Sequence, residues 1–133
     1  MLIPALHFTG NCEEAIALYE KAFNTKAEGV VRHCDYDPVN YAGDRQISHA
    51  SMKINGQTVF LNDNEELVDK NNPNSFPVHL FVYFQTADEM LACYEILKDD
   101  SATENPFVKT SYSTLIGNFT DKFGMLWGFI VAS

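Results

Sequence analysis

Three of the four histidines in this chain stand at alternating positions of strand-like runs. A neutral imidazole can take or give a proton near physiological pH, which makes such positions candidates for acid/base work. His7 lies between Leu6 and Phe8. His49 precedes Ala50 and is followed two residues on by Ser51. His79 is followed by Leu80 and then, at every second position, by Phe81 and Tyr83. Residues two apart on a strand share a face. His7, His49, Ser51, His79, Phe81 and Tyr83 therefore belong to the faces opposite Leu6, Phe8, Ala50, Met52, Ile54, Leu80, Val82, Phe84, Trp127 and Phe129, the set a helix would cover. Imidazoles, a hydroxyl and aromatic rings on one side of a sheet suit a small, partly apolar ligand. His49 and His79 are the candidate catalytic acid/base groups. His7, Ser51, Asn62, Phe81 and Tyr83 are the candidate ligand contacts.

Each of these residues also has a plainer use. His49 and Ser51 do not by themselves make a nucleophile system, because nothing identifies an orienting acid or an oxyanion site. Both serve equally as lining. His79 suits a proton shuttle or a polar pocket wall. Phe81 and Tyr83 either stack on a flat ligand or pack at an interface. Asp63 ends a strand and either caps the following turn or faces a ligand. Arg32 and Lys53 are the cations nearest these positions. Cys12 stands where a helix dipole could favour a thiolate, while Cys93 lies on an apolar helical stripe. The three cysteines are widely spaced and form no zinc pattern.

The elements that must position these groups occur twice. Asn11, Glu14 and Tyr19 are matched by Thr86, Glu89 and Tyr94 at the same spacings. Each set follows a strand-like run: Ile3 to Phe8 in the first copy, Val78 to Phe84 in the second. Asn11 with Glu14, and Thr86 with Glu89, read as capping boxes for helices ending near Asn24 and Lys98. A strand is expected over Lys26–Cys34, then a loop over Asp35–Arg45. Ile47–Ile54 alternates, Asn55-Gly56 signals a two-residue hairpin turn, and Thr58–Asp63 returns. Residues 65–77 form a polar linker. Strands around Ala102–Lys109, Ser113–Thr120 and Met125–Val131 complete the second copy. The expected organisation is an α+β chain of two βαβββ modules, 1–64 and 78–133, with curved mixed sheets carrying helices on their outer faces.

Composition narrows the function. The chain has 133 residues, 46% hydrophobic and 20% charged, with a formal charge of −9. The acidity extends over both halves, and neither has a basic stripe. Nucleic acid and anionic membranes are therefore not expected partners. No apolar run approaches the ~20 residues of a membrane span, and Met1-Leu2-Ile3-Pro4 lacks the form of a signal peptide. A cytoplasmic location is the expectation.

Gly10-Asn11-Cys12-Glu13-Glu14-Ala15, His49-Ala50-Ser51-Met52-Lys53-Ile54-Asn55-Gly56, Leu61-Asn62-Asp63 and Asp121-Lys122-Phe123-Gly124-Met125-Leu126-Trp127 are motifs that resemble the vicinal oxygen chelate superfamily. That superfamily includes glyoxalase I, extradiol dioxygenases and bleomycin-resistance proteins. The chain is most similar to its PhnB-like branch, whose label is 3-demethylubiquinone-9 3-methyltransferase-like. The resemblance covers the whole chain and implies a homodimer that binds a small organic molecule within or between modules. The superfamily's metal enzymes carry ligands on the first and last strands of each module. Those positions fall here on Ile3 or Pro4, near Leu61, on His79 and on Gly128, so the usual divalent-metal set is incomplete and no cofactor is expected. Three activities stay open: binding with metal-independent acid/base chemistry, a metal-dependent lyase or dioxygenase using a set such as His79, His49 and Asp63, and sequestration without turnover. No glycine-rich loop of the nucleotide-cofactor kind follows a strand, so S-adenosylmethionine has no support.

Overall fold

A computed structural model describes residues 1–68, 80–98, 107–110 and 113–132. The chain divides into two compact units, Met1–Asn72 and Pro73–Ser133. Each is α+β, with a helix against one face of a mixed sheet. Among the described residues no helix is long and apolar enough to cross a membrane.

The first unit runs β1 (Ala5–Phe8), α1 (Cys12–Phe23), β2 (Glu28–Arg32), a single helical turn α2 (His33–Tyr36), β3 (Ile47–Ile54) and β4 (Gln57–Asp63). A 3₁₀ turn follows at Glu65–Leu67. The sheet order is β1-β4-β3-β2, with β1 and β4 parallel and the other pairs antiparallel. The hairpin between β3 and β4 is as tight as its sequence indicates. Ile54 pairs with Gln57, and Asn55 and Gly56 both adopt positive φ, the conformation a two-residue turn of this kind requires. Leu6, Phe8, Ala50, Met52, Ile54, Val59 and Leu61 are buried on the helix side with Ala15, Ile16, Tyr19 and Phe23 of α1.

Three local expectations are corrected. The second strand is shorter than Lys26–Cys34, because His33 to Tyr36 turn helically and begin the loop early. β3 also carries a bulge: Val31 pairs with His49 while the next residue, Arg32, pairs with Ile47, leaving Ser48 as the extra residue. The bulge turns Ile47 inward, where it is buried. The third correction concerns the start of α1. Asn11 provides its backbone carbonyl to the Ala15 N–H, but its side chain makes no capping bond and accepts from the Thr9 N–H instead. The cap comes from Asp63 at the end of β4. Its carboxylate accepts the N–H groups of Gly10 (2.8 Å), Cys12 (3.0 Å) and Ile47 (2.9 Å). One buried carboxylate thus holds the β1–α1 turn, the first helical residue and the bulged strand. A negative charge at this place also complements the helix dipole.

The second unit runs β5 (Leu80–Phe84), α3 (Ala87–Leu97), β6 (Ser113–Thr120) and β7 (Leu126–Ala132), with sheet order β5-β7-β6. β5 and β7 are parallel, as β1 and β4 are. Of the strand expected around Ala102–Lys109, residues 102–106 lie outside the described set, and Val108 forms an isolated antiparallel bridge to Ile116. Residues 69–77 of the expected linker also lie outside it. Helix α3 is capped locally, its Thr86 hydroxyl accepting the Glu89 N–H at 3.1 Å. Its Tyr94 ring stands edge-on to Phe119, and Phe119 to Phe129, in a core with Val82, Phe84, Met90, Cys93, Leu97 and Trp127. Asp121 closes the turn between β6 and β7. Its carboxylate accepts from the Phe123 and Met125 N–H groups and from the buried Trp127 indole N–H at 2.9 Å.

The two caps differ in reach, and this sets their energetic weight. Asp63→Asn turns an amide N–H₂ toward at least one backbone donor, and urea unfolding is expected to show a loss of about 2–3 kcal/mol. Thr86→Ala removes one exposed cap bond, and the expected loss is about 1 kcal/mol. Equal losses in the two variants would contradict the three-way role of Asp63.

Candidate functional site

The face of the first sheet away from α1 carries the polar residues. Parallel pairing sets His7 beside Asn62, and their side chains meet, with His7 Nδ1 2.6 Å from Asn62 Oδ1. Ala50 pairs with Leu61, so the preceding His49 stands opposite Asn62 on the other side of β4. His7, Asn62 and His49 thus form one row across β1, β4 and β3. The next row is Ala5, Phe60 and Ser51. His49 is exposed and meets the Phe60 ring edge-on at 4.8 Å between centroids. Ser51 Oγ lies 3.5 Å from the Glu28 carbonyl, at the limit of a hydrogen bond. It is directed to the edge strand and away from any nucleophile arrangement with His49. Lys53 is exposed in the row beyond, paired with Thr58.

Phe60 was not among the residues singled out from the sequence. The signal for it was present, since it is two residues from Asn62 on an alternating strand and shares its face. The same alternation places Leu61 and Asp63 on the helix side, where both are buried. Leu61 and Asp63 are therefore on the opposite face from His49. Arg32 is also spoken for: its guanidinium makes a two-point contact with Glu13 (2.8 and 3.2 Å) and donates to the Arg45 carbonyl at 2.6 Å. That contact holds the Glu13 carboxyl below its ordinary range. His33 meets Asp44 through Nδ1 at 3.2 Å and packs against Tyr41, within its own loop.

In the second unit Phe81 and Tyr83 lie on the face away from α3, 49% and 65% exposed. Phe81 pairs with Gly128, and Tyr83 with Ile130. The Phe81 ring covers Gly128 so closely that a Cβ there would lie 2.6–2.8 Å from three ring carbons. Counting by register, Phe81 and Gly128 hold the places that Ala5 and Phe60 hold in the first unit. His79 lies outside the described residues.

Both buried cysteines are chemically quiet. Burial, with the nearby Asp63 and Glu13 charges, pushes the Cys12 thiol up to about 12. Burial alone pushes Cys93 to about 12. The helix start that could have favoured a Cys12 thiolate is occupied by the Asp63 carboxylate.

With this geometry in hand, comparisons with known proteins fix the class. The chain overlays a glyoxylase/bleomycin resistance protein/dioxygenase domain from Frankia sp. EAN1pec with a TM-score of 0.70 at 14% identity, over 100% of this chain and 97% of the other. The fold is of that kind. Residues 1–130 match the 3-demethylubiquinone-9 3-methyltransferase family, and the chain belongs to it. Within the PhnB-like group, it is 26% identical to the PhnB protein of Bacillus cereus, with a TM-score of 0.78 and 98% of each chain covered. Protein PA1353 from Pseudomonas aeruginosa overlays with a TM-score of 0.84 at 21% identity, over 99% and 97% of the two chains.

Two outcomes follow from the packing. Gly128→Ala must displace the Phe81 ring, and a destabilisation of about 1–2 kcal/mol is expected. The same change in a Phe81→Ala background should be neutral or slightly stabilising, since the obstacle is gone and glycine is a poor strand residue. Calorimetry of the four proteins reads the coupling. For the thiols, a folded-state value raised from 9.0 to about 12 means that the native protein keeps protons the unfolded chain releases. Their contribution to stability is complete below pH 9 and declines as pH rises toward about 12. Replacing both Cys12 and Cys93 by alanine should flatten the alkaline fall in denaturation midpoint relative to wild type.

Proposed function

We propose that the protein binds a small, partly apolar organic molecule on its open sheet faces and acts on it, where it acts, through histidine acid/base chemistry without a resident metal. The observation that carries this reading is the row His7–Asn62–His49, backed by Phe60 and Ser51, on the sheet face that takes no part in the helix-side core. Imidazoles there cost the fold nothing to keep polar, and the adjacent Phe60 ring gives an apolar surface on which a flat molecule can rest. His49 is the exposed acid/base group of this row. His79 is its candidate counterpart in the second unit, by strand alternation alone.

A divalent metal bound in the manner of the superfamily's enzymes does not fit the residues present. The Gly128 position is covered by the Phe81 ring. Phe60, not Leu61, is its register counterpart in the first unit, and it too is a phenyl ring. Asp63 faces the helix side and spends its oxygens on three backbone N–H groups. These placements favour a metal-free reading over the His79, His49 and Asp63 set. Methyl transfer from a nucleotide-type cofactor is likewise unsupported. The N–H groups at the start of α1, which in other folds cradle phosphates, are bonded to Asp63.

The exposed Phe81 and Tyr83 support a homodimer in which a second copy covers part of this surface. The binding reading is tested by a ligand screen followed by nuclear magnetic resonance. A true ligand should shift the resonances of His49, Phe60 and His7. His49→Ala should weaken it about tenfold or abolish turnover while moving the unfolding free energy by less than ~0.5 kcal/mol, since an exposed side chain is lost. Ligand shifts confined to the α1 side, or full activity in His49→Ala, would refute the assignment.

A further inference from the structure

We propose that His7 is the hydrogen-bond acceptor of the open face, and that the ligand presents it with a hydroxyl beside a flat apolar group. The proposal rests on the open-face reading above and deepens it. Its basis is the contact between His7 Nδ1 and Asn62 Oδ1 at 2.6 Å. An amide oxygen carries no proton, so the hydrogen in this contact belongs to the ring. A neutral His7 with a proton on Nδ1 has its lone pair on Nε2. Imidazole side chains in water favour the opposite form, with the proton on Nε2. Asn62 therefore acts as a positioning residue that selects the tautomer of its neighbour. No hydrogen bond to His7 Nε2 forms among the described residues, so this acceptor is not consumed by the fold.

The surroundings limit what the acceptor can serve. His7 is half-buried, and the row beside it holds Ala5, Phe60 and Ser51. Among the described residues no carboxylate is paired with His7, and its hydrogen-bond partner, Asn62, is uncharged. A neutral acceptor with a neutral partner suits a neutral donor. The Phe60 ring in the neighbouring row provides apolar area for the rest of the molecule. Together these select a flat molecule bearing a hydroxyl, of phenol or enol type, over an anion or a fully apolar compound. His7 thereby supplies selection by a missing hydrogen bond, because an analogue lacking the hydroxyl leaves Nε2 without a partner in a half-buried place.

The test has two arms on the full chain. Long-range proton–nitrogen correlation spectra of isotope-labelled protein in mildly alkaline buffer are expected to show His7 as the Nδ1–H tautomer. In Asn62→Leu the ring should return toward the Nε2–H form, with His49 unchanged. A wild-type His7 in the Nε2–H form overturns the proposal. The second arm compares para-cresol, which stays protonated in this buffer, with para-methylanisole, which has the same ring and no hydroxyl. The phenol is expected to bind about five- to tenfold more tightly, and His7→Phe, which keeps a ring, should erase the preference without preventing folding. Equal affinity of wild type for the two compounds overturns the proposal while leaving the open-face reading intact. If neither compound moves the His7, His49 or Phe60 resonances at millimolar concentration, both the open-face reading and the ligand class named here are overturned.

Discussion

The first unit depends on one carboxylate. Asp63 brings the end of β4 to the start of α1 and to the bulge of β3, joining segments 51–53 and 16 residues away in sequence. A buried carboxylate is tolerated only when its charge is met by donors, and three backbone N–H groups meet this one. The arrangement fixes which side of β4 faces inward at its last residue. By alternation it then fixes Asn62 and Phe60 outward. The position of the candidate site follows from this constraint as directly as from any residue within it.

The second unit reaches the same outline by other means. Where β4 ends on Asp63 opposite Phe8, β7 has Val131 opposite Phe84. With no carboxylate there, α3 relies on Thr86, three residues from the N–H it accepts. The unit's own buried carboxylate, Asp121, serves a turn and the Trp127 indole. Among the described residues both units pair a parallel strand couple with an antiparallel neighbour, while the polar bonds that close each unit differ. The open faces differ in the same way. The first carries His7, Asn62 and His49, and the corresponding rows of the second carry Phe81, Gly128, Tyr83 and Ile130.

How much of this could be read from the sequence depended on the range of the interaction. The bounds of β3 were legible because alternation from His49 to Ile54 ended in Asn-Gly, both local signals. The outward placement of His7 and His49 followed from the same period of two. The Asp63 cap was not legible, since its partners are backbone N–H groups distant in sequence, and Asn11 stood in the position a capping residue usually takes. The His7–Asn62 contact was equally hidden. Both residues were singled out, yet only the parallel register of β1 and β4 makes them neighbours. The bulge at Ser48 and the early turn at His33 shift local geometry without any change in residue pattern that would announce them.

The irregular margin of the first sheet has a consequence of its own. β2 is an outer strand with Val30 and Val31 exposed, a composition that invites further strands to add on. Its ladder to β3 is broken in register twice, and Gly29, the second residue of the strand, has a φ of +60°. A margin kinked in this way presents no straight row of donors and acceptors, so it is a poorer template for cross-β growth than a flat strand of the same residues.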